Sequence, residues 1–206
     1  DTTVNGRCSD GFGILSIQNM KILLCGDSYG VSSPGSWNHM LHLDHDVTNV
    51  CQAGVSEYKI LQQVQNHIHI NPDVIMVVHT SPYRVHTLDH PVHSQGLHKD
   101  CDLIYTDIEY HNALTPSPEL SSVIKYFERH FDPEYYLTVY NLLRAEISRT
   151  VNVPTLHVDF FPGNSGLDLS DLPLTYPGQP NHMSESGHKI TYEKISKEIS
   201  NLELDI

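Results

Sequence analysis

Short apolar segments alternate with amphipathic segments along most of this chain, and this alternation is the feature that most limits its fold. Four apolar segments have the length of a β-strand, namely residues 21–26, 46–51, 74–80 and 155–160. Strands that alternate with helices are typical of α/β domains, because each helix returns the chain to the start of a neighbouring parallel strand. The pattern therefore predicts an α/β fold with a central parallel sheet.

The segments between these strands have the spacing of helices that bury one face. Residues 56–68, 133–149 and 184–202 each place apolar side chains three or four positions apart. The residues suited to cap these three helices are Ser56, Asp132 and Ser184. Residues 81–118 lack this periodicity and are rich in His, Asp, Pro and Tyr, so we expect a polar insertion or long loop there.

The composition is that of one globular domain and argues against two classes of partner. The chain has 206 residues, 39% hydrophobic, and its 25 acidic side chains outnumber 12 basic ones. No run of basic residues is present, so nucleic acid is not expected to bind. The apolar runs are too short to span a bilayer. The four cysteines form no C-x-x-C pair, which favours buried free thiols over a zinc knuckle.

Met20 directly precedes the first predicted strand, which suggests a boundary at this point. Residues 1–19 are interpreted as an N-terminal extension, and residues 20–206 as a single domain. The extension has no basic start, no long apolar stretch and no small-residue cleavage site, so it is not expected to be a signal peptide. A cytoplasmic location is therefore favoured, unless a signal has already been removed. The sequence leaves the oligomeric state open.

The first predicted strand ends in Gly26-Asp27-Ser28-Tyr29-Gly30, which places a serine hydroxyl on a tight turn. Ligands of open α/β sheets bind beyond the carboxyl ends of the strands, where backbone N–H groups can stabilise an oxyanion. Ser28 is therefore a candidate nucleophile with Tyr29 at its rim, although this segment is equally compatible with a simple turn. A serine nucleophile needs a nearby base. Among fifteen histidines, His182 is the candidate because it precedes the last predicted helix, at the same sheet edge.

Taken together, these segments resemble the SGNH-hydrolase superfamily, also called GDSL-like esterases and lipases. The resemblance is carried by Gly26-Asp27-Ser28, by Gln52-Ala53-Gly54-Val55-Ser56 after the second strand, and by His182 followed by Gly187-His188. It implies a flavodoxin-like three-layer α/β/α fold and ester hydrolysis without a metal or another cofactor. It also implies that Ser28 is the nucleophile, that His182 is the base, and that the N–H of Gly54 contributes to an oxyanion hole.

Two positions depart from the pattern usual in this family. Ser81 stands where the family has the asparagine of its Gly-x-Asn-Asp block, which supplies an oxyanion donor. The Ser81 hydroxyl can donate one hydrogen bond, and Arg84 offers a charged alternative. Gln179 stands three residues before His182, where the family usually has the aspartate that orients the histidine.

Three interpretations of the orienting group stay open. The preferred one is a catalytic dyad of Ser28 and His182, aided by Gln179 or a backbone carbonyl. A carboxylate from elsewhere, such as Asp168 or Asp171, and a weakened enzyme are the others.

The leading functional hypothesis is a serine esterase whose partner is a small-molecule or glycan ester, short-chain or carbohydrate-linked. The alternative is a catalytically silent SGNH-type fold that binds a glycan or a protein. A third hypothesis is a phosphate-binding flavodoxin-like domain, but the chain has no P-loop lysine and no dinucleotide fingerprint.

A histidine-rich stretch lies inside the predicted insertion. It contains His86, His90, His93 and His98 together with Asp89, Asp100 and Asp102. Zinc sites need three or four ligands that converge in space, and this loop spacing shows no helix or knuckle to bring them together. A polar, solvated lid is therefore preferred, and no metal site is predicted.

Overall fold

A computed structural model describes residues 19–161, 166–178 and 182–203, and it contains a five-stranded sheet. The strands are β1 (Lys21–Gly26), β2 (Asp46–Asn49), β3 (Val74–His79), β4 (Thr155–Asp159) and β5 (Leu167–Asp168). All neighbouring strands are parallel, in the order β2-β1-β3-β4-β5. This is the order of flavodoxin-like doubly wound sheets, so the predicted fold class is confirmed.

Helices cover both faces of the sheet. In the described residues they are α1 (Trp37–Asp44), α2 (Glu57–His67), α3 (Tyr105–Leu114), α4 (Pro118–His130), α5 (Pro133–Thr150), α6 (Leu172–Thr175) and α7 (Glu185–Glu203). Side chains of α1 and α7 pack in one apolar cluster, and those of α2 and α5 pack in the other. The domain therefore has three layers. None of these helices combines the length and apolar character that crossing a membrane requires.

The central strands form where the sequence is continuously apolar. β1 and β3 are buried along almost their whole length, as expected for strands with helices on both faces. Alternate residues of β1 serve the two layers: Ile22 and Leu24 pack in the cluster with α1 and α7, whereas Leu23 and Cys25 pack in the cluster with α2 and α5. The pleat of one strand thus contributes to both halves of the core.

The predicted strands and helices lie within two residues of the observed ones. At the start of α5, the Asp132 carboxylate accepts hydrogen bonds from the N–H groups of Glu134 and Tyr135, at 3.0 and 3.3 Å. The predicted cap is therefore confirmed at this helix. Ser56 occupies the N-cap position of α2, but its side chain makes no capping hydrogen bond.

Residues 81–118, predicted to be a polar insertion or long loop, contain helix α3, so the long-loop alternative is wrong. Of the ten residues of α3, only Ile108 is buried. A helix with one buried position leaves no apolar periodicity in the sequence, which explains why the pattern did not reveal it. Cys25 and Cys101 are buried free thiols, as predicted, whereas the free thiol of Cys51 is only partly buried. Cys8 and the proposed extension lie outside the described residues, apart from Asn19.

Candidate active site at the carboxyl edge of the sheet

Ser28 begins a single turn of 3-10 helix, Ser28–Gly30, immediately beyond β1. The Asp27 carboxylate accepts a hydrogen bond from the N–H of Tyr29 at 3.0 Å, which closes the turn. The indole N–H of Trp37, a fully buried residue, donates to the carbonyl of Tyr29 at 2.8 Å. The amide of Asn49 donates to the next carbonyl, that of Gly30, at 2.8 Å. These bonds hold the backbone around Ser28 in one conformation.

Asp27 is fully buried directly beside this serine. Burial raises the pKa of its carboxyl group to about 6, against the opposing effects of the Tyr29 N–H and the positive charge of Arg84. A negative charge at this position would disfavour ionisation of the neighbouring hydroxyl. Asp27 therefore shapes the turn, and a base for Ser28 has to come from another part of the chain.

His182 reaches this turn from a loop that closes on itself just before α7. The N–H of Gly178 donates to the carbonyl of His182 at 2.9 Å, and the N–H of Ser184 donates to the carbonyl of Tyr176 at 2.8 Å. Met183 is buried in the core beneath the loop. The ring of His182 lies 5.0 Å from the ring of Tyr29, measured between centroids.

The structure thus places His182 against the residue that follows Ser28 in the chain. No hydrogen bond joins Ser28 Oγ to the imidazole among the residues described. Hydrogen bonds between catalytic groups are often long or poorly aligned before substrate binds. Burial, with a smaller contribution from the charge of His98, lowers the pKa of His182 below its ordinary range. At neutral pH its imidazole is therefore uncharged, the form that can accept a proton.

Gly54 lies in the loop between β2 and α2, in a left-handed conformation with φ of +75°. A Cβ at this position would lie 2.7 Å from Cβ of Cys101 and 3.6 Å from Nη1 of Arg84. Glycine is therefore required for two reasons, the backbone angle and the close approach of Cys101. The same distances show that the Arg84 guanidinium lies beside Gly54.

Ser81 and Arg84 follow the end of β3 and lie near each other. The Nε–H of Arg84 donates to Oγ1 of Thr80 at 3.2 Å, and its Nη1 donates to the carbonyl of Asp102 at 3.4 Å. Ser81 is buried, and with Arg84 it lines a small crevice of about 90 Å³. Neither Ser28 nor His182 lines that crevice.

The structure describes two of the three residues expected to orient His182. Gln179 lies outside the described residues. Asp168 and Asp171 are exposed, and Asp168 accepts a hydrogen bond from the N–H of Ser170 at 2.9 Å. Within the described part of the chain, neither carboxylate forms a hydrogen bond or ion pair with His182. The geometry therefore gives no support to a carboxylate from these two positions.

The sequence reasoning missed a chain of polar side chains that is buried at Glu57 and His79 and exposed at Ser148. Nδ1 of His79 lies 2.6 Å from Oε1 of Glu57, and its Nε2 lies 2.8 Å from Nδ1 of His157. Nε2 of His157 lies 3.1 Å from Oγ of Ser148, at a cleft of about 730 Å³. Burial lowers the pKa of His157 to about 4, so this ring is neutral. The only hint of these hydrogen bonds in the sequence was His79, a histidine at the end of the otherwise apolar strand β3.

The interpretation of the histidine-rich stretch as a solvated lid is also incomplete. His90 and His93 lie together, and α3 brings Asp107 and His111 to them, so a helix does supply the missing convergence. The carboxylate of Asp102, another residue of the histidine-rich stretch, contacts backbone groups instead. It accepts hydrogen bonds from the N–H groups of Ser56 and Thr87, at 2.7 and 2.8 Å.

The sheet order and the placement of Ser28 define a doubly wound α/β protein whose candidate site lies at the carboxyl edge of the strands. No family model matches the chain, and no curated protein matches it. Among solved structures, it is similar to a protein assigned to the G-D-S-L family of lipolytic proteins from Desulfitobacterium hafniense DCB-2. The identity is 14%, the TM-score is 0.40, and the match covers 87% of this chain and 99% of that one. The functional proposal therefore rests on this chain's own residues.

Proposed function

We propose that this chain is an SGNH-type serine esterase that hydrolyses a short-chain or carbohydrate-linked carboxylic ester through an acyl-serine intermediate. The observation that carries the proposal is the packing of the His182 ring on Tyr29, beside Ser28. A serine on a fixed turn and a neutral histidine then share the edge of the sheet where doubly wound folds bind ligands. The sequence blocks that resemble SGNH hydrolases assign the same two residues.

The reaction follows from these positions. Ser28 Oγ attacks the ester carbon while His182 accepts the hydroxyl proton, and a tetrahedral oxyanion forms. The N–H groups of Ser28 and Gly54 stabilise its charge, with the Ser81 hydroxyl, or the Arg84 guanidinium in its place, as a further donor. Collapse breaks the bond between carbon and the alcohol oxygen, and His182 returns the proton to the departing alcohol.

Release of the acid repeats these steps with water as the nucleophile. His182 takes a proton from water, which adds to the acyl carbon, and the proton then returns to Ser28 as the acid leaves. Gln179 would orient His182 through its amide oxygen, and Tyr29 would form the rim of the substrate site. A neutral orienting residue stabilises the imidazolium less than a carboxylate does, so a modest rate is part of the proposal.

Covalent labelling of Ser28 tests the proposal directly. We expect a fluorophosphonate probe to add once to the folded wild type, as read by intact mass, because such probes react with activated serines. Ser28→Ala should give no adduct. Ser33→Ala is the matched control, since Ser33 is an exposed serine five residues away, and it should label as the wild type does.

Two outcomes of this experiment would decide against the proposal. One is a folded wild type that gains no adduct and does not hydrolyse p-nitrophenyl acetate. The silent glycan-binding or protein-binding domain would then be the better description. The other is an adduct that persists in Ser28→Ala, which would assign the nucleophile to another residue.

The pH dependence of hydrolysis should report the lowered pKa of His182. The base must be neutral, so kcat/KM rises with pH as His182 loses its proton, and the midpoint should lie below the ordinary histidine value of about 6.5. Because the carboxyl group of Asp27 has a pKa of about 6, the kinetic curve alone does not identify the group.

NMR identifies the group that titrates. The ring resonance of His182 is the one missing from the spectrum of His182→Ala, and its titration in the wild type gives the midpoint of His182. The NMR and kinetic midpoints should agree. A His182 midpoint at or above the ordinary histidine value of about 6.5 would contradict the proposed environment.

A further inference from the structure

Three ligand-type side chains converge where the segment after β3 meets helix α3. Nε2 of His93 lies 3.0 Å from Oδ2 of Asp107, and Nε2 of His111 lies 3.6 Å from Oδ1 of the same carboxylate. One ligand atom from each of the three residues lies within 4.8 Å of the others. Asp107 and His111 are four positions apart on α3, so successive helical turns present them on one face.

These separations suit a transition-metal ion. Zinc binds nitrogen and oxygen ligands at about 2.0–2.2 Å, so tetrahedral ligand atoms lie about 3.3 Å apart. Nε2 of His93 lies 3.0 Å from one Asp107 oxygen and Nε2 of His111 lies 3.6 Å from the other oxygen, so each contact is close to this value. Imidazole ligands favour zinc over magnesium and calcium, which prefer sites made of oxygen alone.

His90 provides an independent observation at the same place. Only 1% of its side chain is exposed, yet its Nε2 has no hydrogen-bond partner. This atom lies 3.7 Å from Oδ2 of Asp107. Its Nδ1 accepts hydrogen bonds from the N–H groups of Val92 and His93, both at 3.2 Å. In the neutral ring the proton is therefore on Nε2, which lies 3.7 Å from the carboxylate, longer than a hydrogen bond. Carboxylates that bind metals are commonly held by such donors.

We propose that His93, Asp107 and His111 bind one zinc ion, with a fourth position open to water, and that His90 positions the Asp107 carboxylate. The ion would join the segment after β3 to helix α3. In that segment the N–H of Asp102 donates to the carbonyl of Gly54 at 2.8 Å, so the joined segment also supports the loop that carries Gly54. The zinc proposal does not rest on the proposed esterase activity.

Zinc titration of the full chain tests this site without any substrate. The protein is stripped with EDTA, dialysed and titrated with zinc chloride in competition with a chromophoric chelator. We expect one ion per chain and a higher Tm when zinc is bound, because an ion that binds only the folded state stabilises it. Excess magnesium should not compete.

Substitutions then assign the ligands. His93→Ala, His111→Ala and the near-isosteric Asp107→Asn should each weaken zinc binding by at least about 100-fold. His90→Ala should weaken it by about 10–100-fold, the usual effect of removing a group that orients a ligand. His42→Ala removes an exposed histidine of α1 and should leave the affinity unchanged. Circular dichroism without zinc shows that each variant folds.

Three results would overturn the proposal. The first is a folded wild type with no saturable zinc binding. The second is wild-type affinity in folded Asp107→Asn. The third is loss of binding in Cys101→Ser with no loss in His111→Ala, because Cys101 also lies within ligand distance of His90 and His93. That third pattern would place the ion in a different set of ligands.

Discussion

Ser28→Ala and His182→Ala are each expected to lower kcat for p-nitrophenyl acetate hydrolysis by about 10⁴-fold, measured above the rate in buffer alone. Without Ser28 no acyl-enzyme forms, and without His182 the hydroxyl keeps its proton. A complete triad can lose about 10⁶-fold on removal of its serine. A site with Gln179 in the orienting position is expected to have a lower wild-type kcat, so removing Ser28 or His182 lowers kcat by a smaller factor.

The double variant gives the sharper test, because residues that act as one unit are not additive. Ser28→Ala combined with His182→Ala should be no slower than either single variant. His130→Ala is the control, since His130 is an exposed histidine at the end of α4, and it should keep the wild-type rate. Losses that multiply in the double variant would show that the two residues do not act in one step.

The fold could be predicted because its determinants are local. β1 and β3 are apolar except for Lys21 at the start of β1 and His79 at the end of β3, and α2 and α5 carry their apolar residues at helical spacing. Such patterns can be recognised from the spacing of neighbouring residues in the sequence alone. Helix α3 was missed because its environment is mostly solvent and polar side chains, so no apolar stripe marks it.

The approach of His182 to Tyr29, beside Ser28, could be predicted because a short segment fixes each position. Ser28 and His182 stand in recognisable turns at the ends of elements, and the parallel sheet brings those ends to one edge. The pairings of Glu57 with His79 and of His93 with Asp107 join residues 22 and 14 positions apart, with no shared motif. Such contacts depend on how loops pack, which sequence spacing does not determine.

Arg144 and Asp159 form another pairing of this kind, with a large expected effect on stability. Nη1 and Nη2 of Arg144, on helix α5, donate to the two carboxylate oxygens of Asp159, at the end of β4, at 2.5 and 3.0 Å. Both residues are buried, at 7% and 3% exposure. Arg144 also donates to the hydroxyl of Tyr140 at 2.9 Å.

Arg144→Leu should lower the free energy of unfolding by about 3–5 kcal/mol, because it leaves the Asp159 carboxylate buried without a cation. Urea unfolding followed by circular dichroism measures the change. Arg149→Leu is the matched control on the same helix. Its guanidinium pairs with Glu146 but is exposed, so water replaces the lost contact and no comparable loss is expected.

A second variant separates the unpaired charge from the loss of packing. In Arg144→Leu with Asp159→Leu, no buried charge remains, so most of the lost stability should return. If the double variant is as unstable as Arg144→Leu, the arginine acts through its packing against Tyr140 and the rest of α5. If Arg144→Leu unfolds at the wild-type urea concentration, water reaches Asp159 freely and the carboxylate is not desolvated in solution.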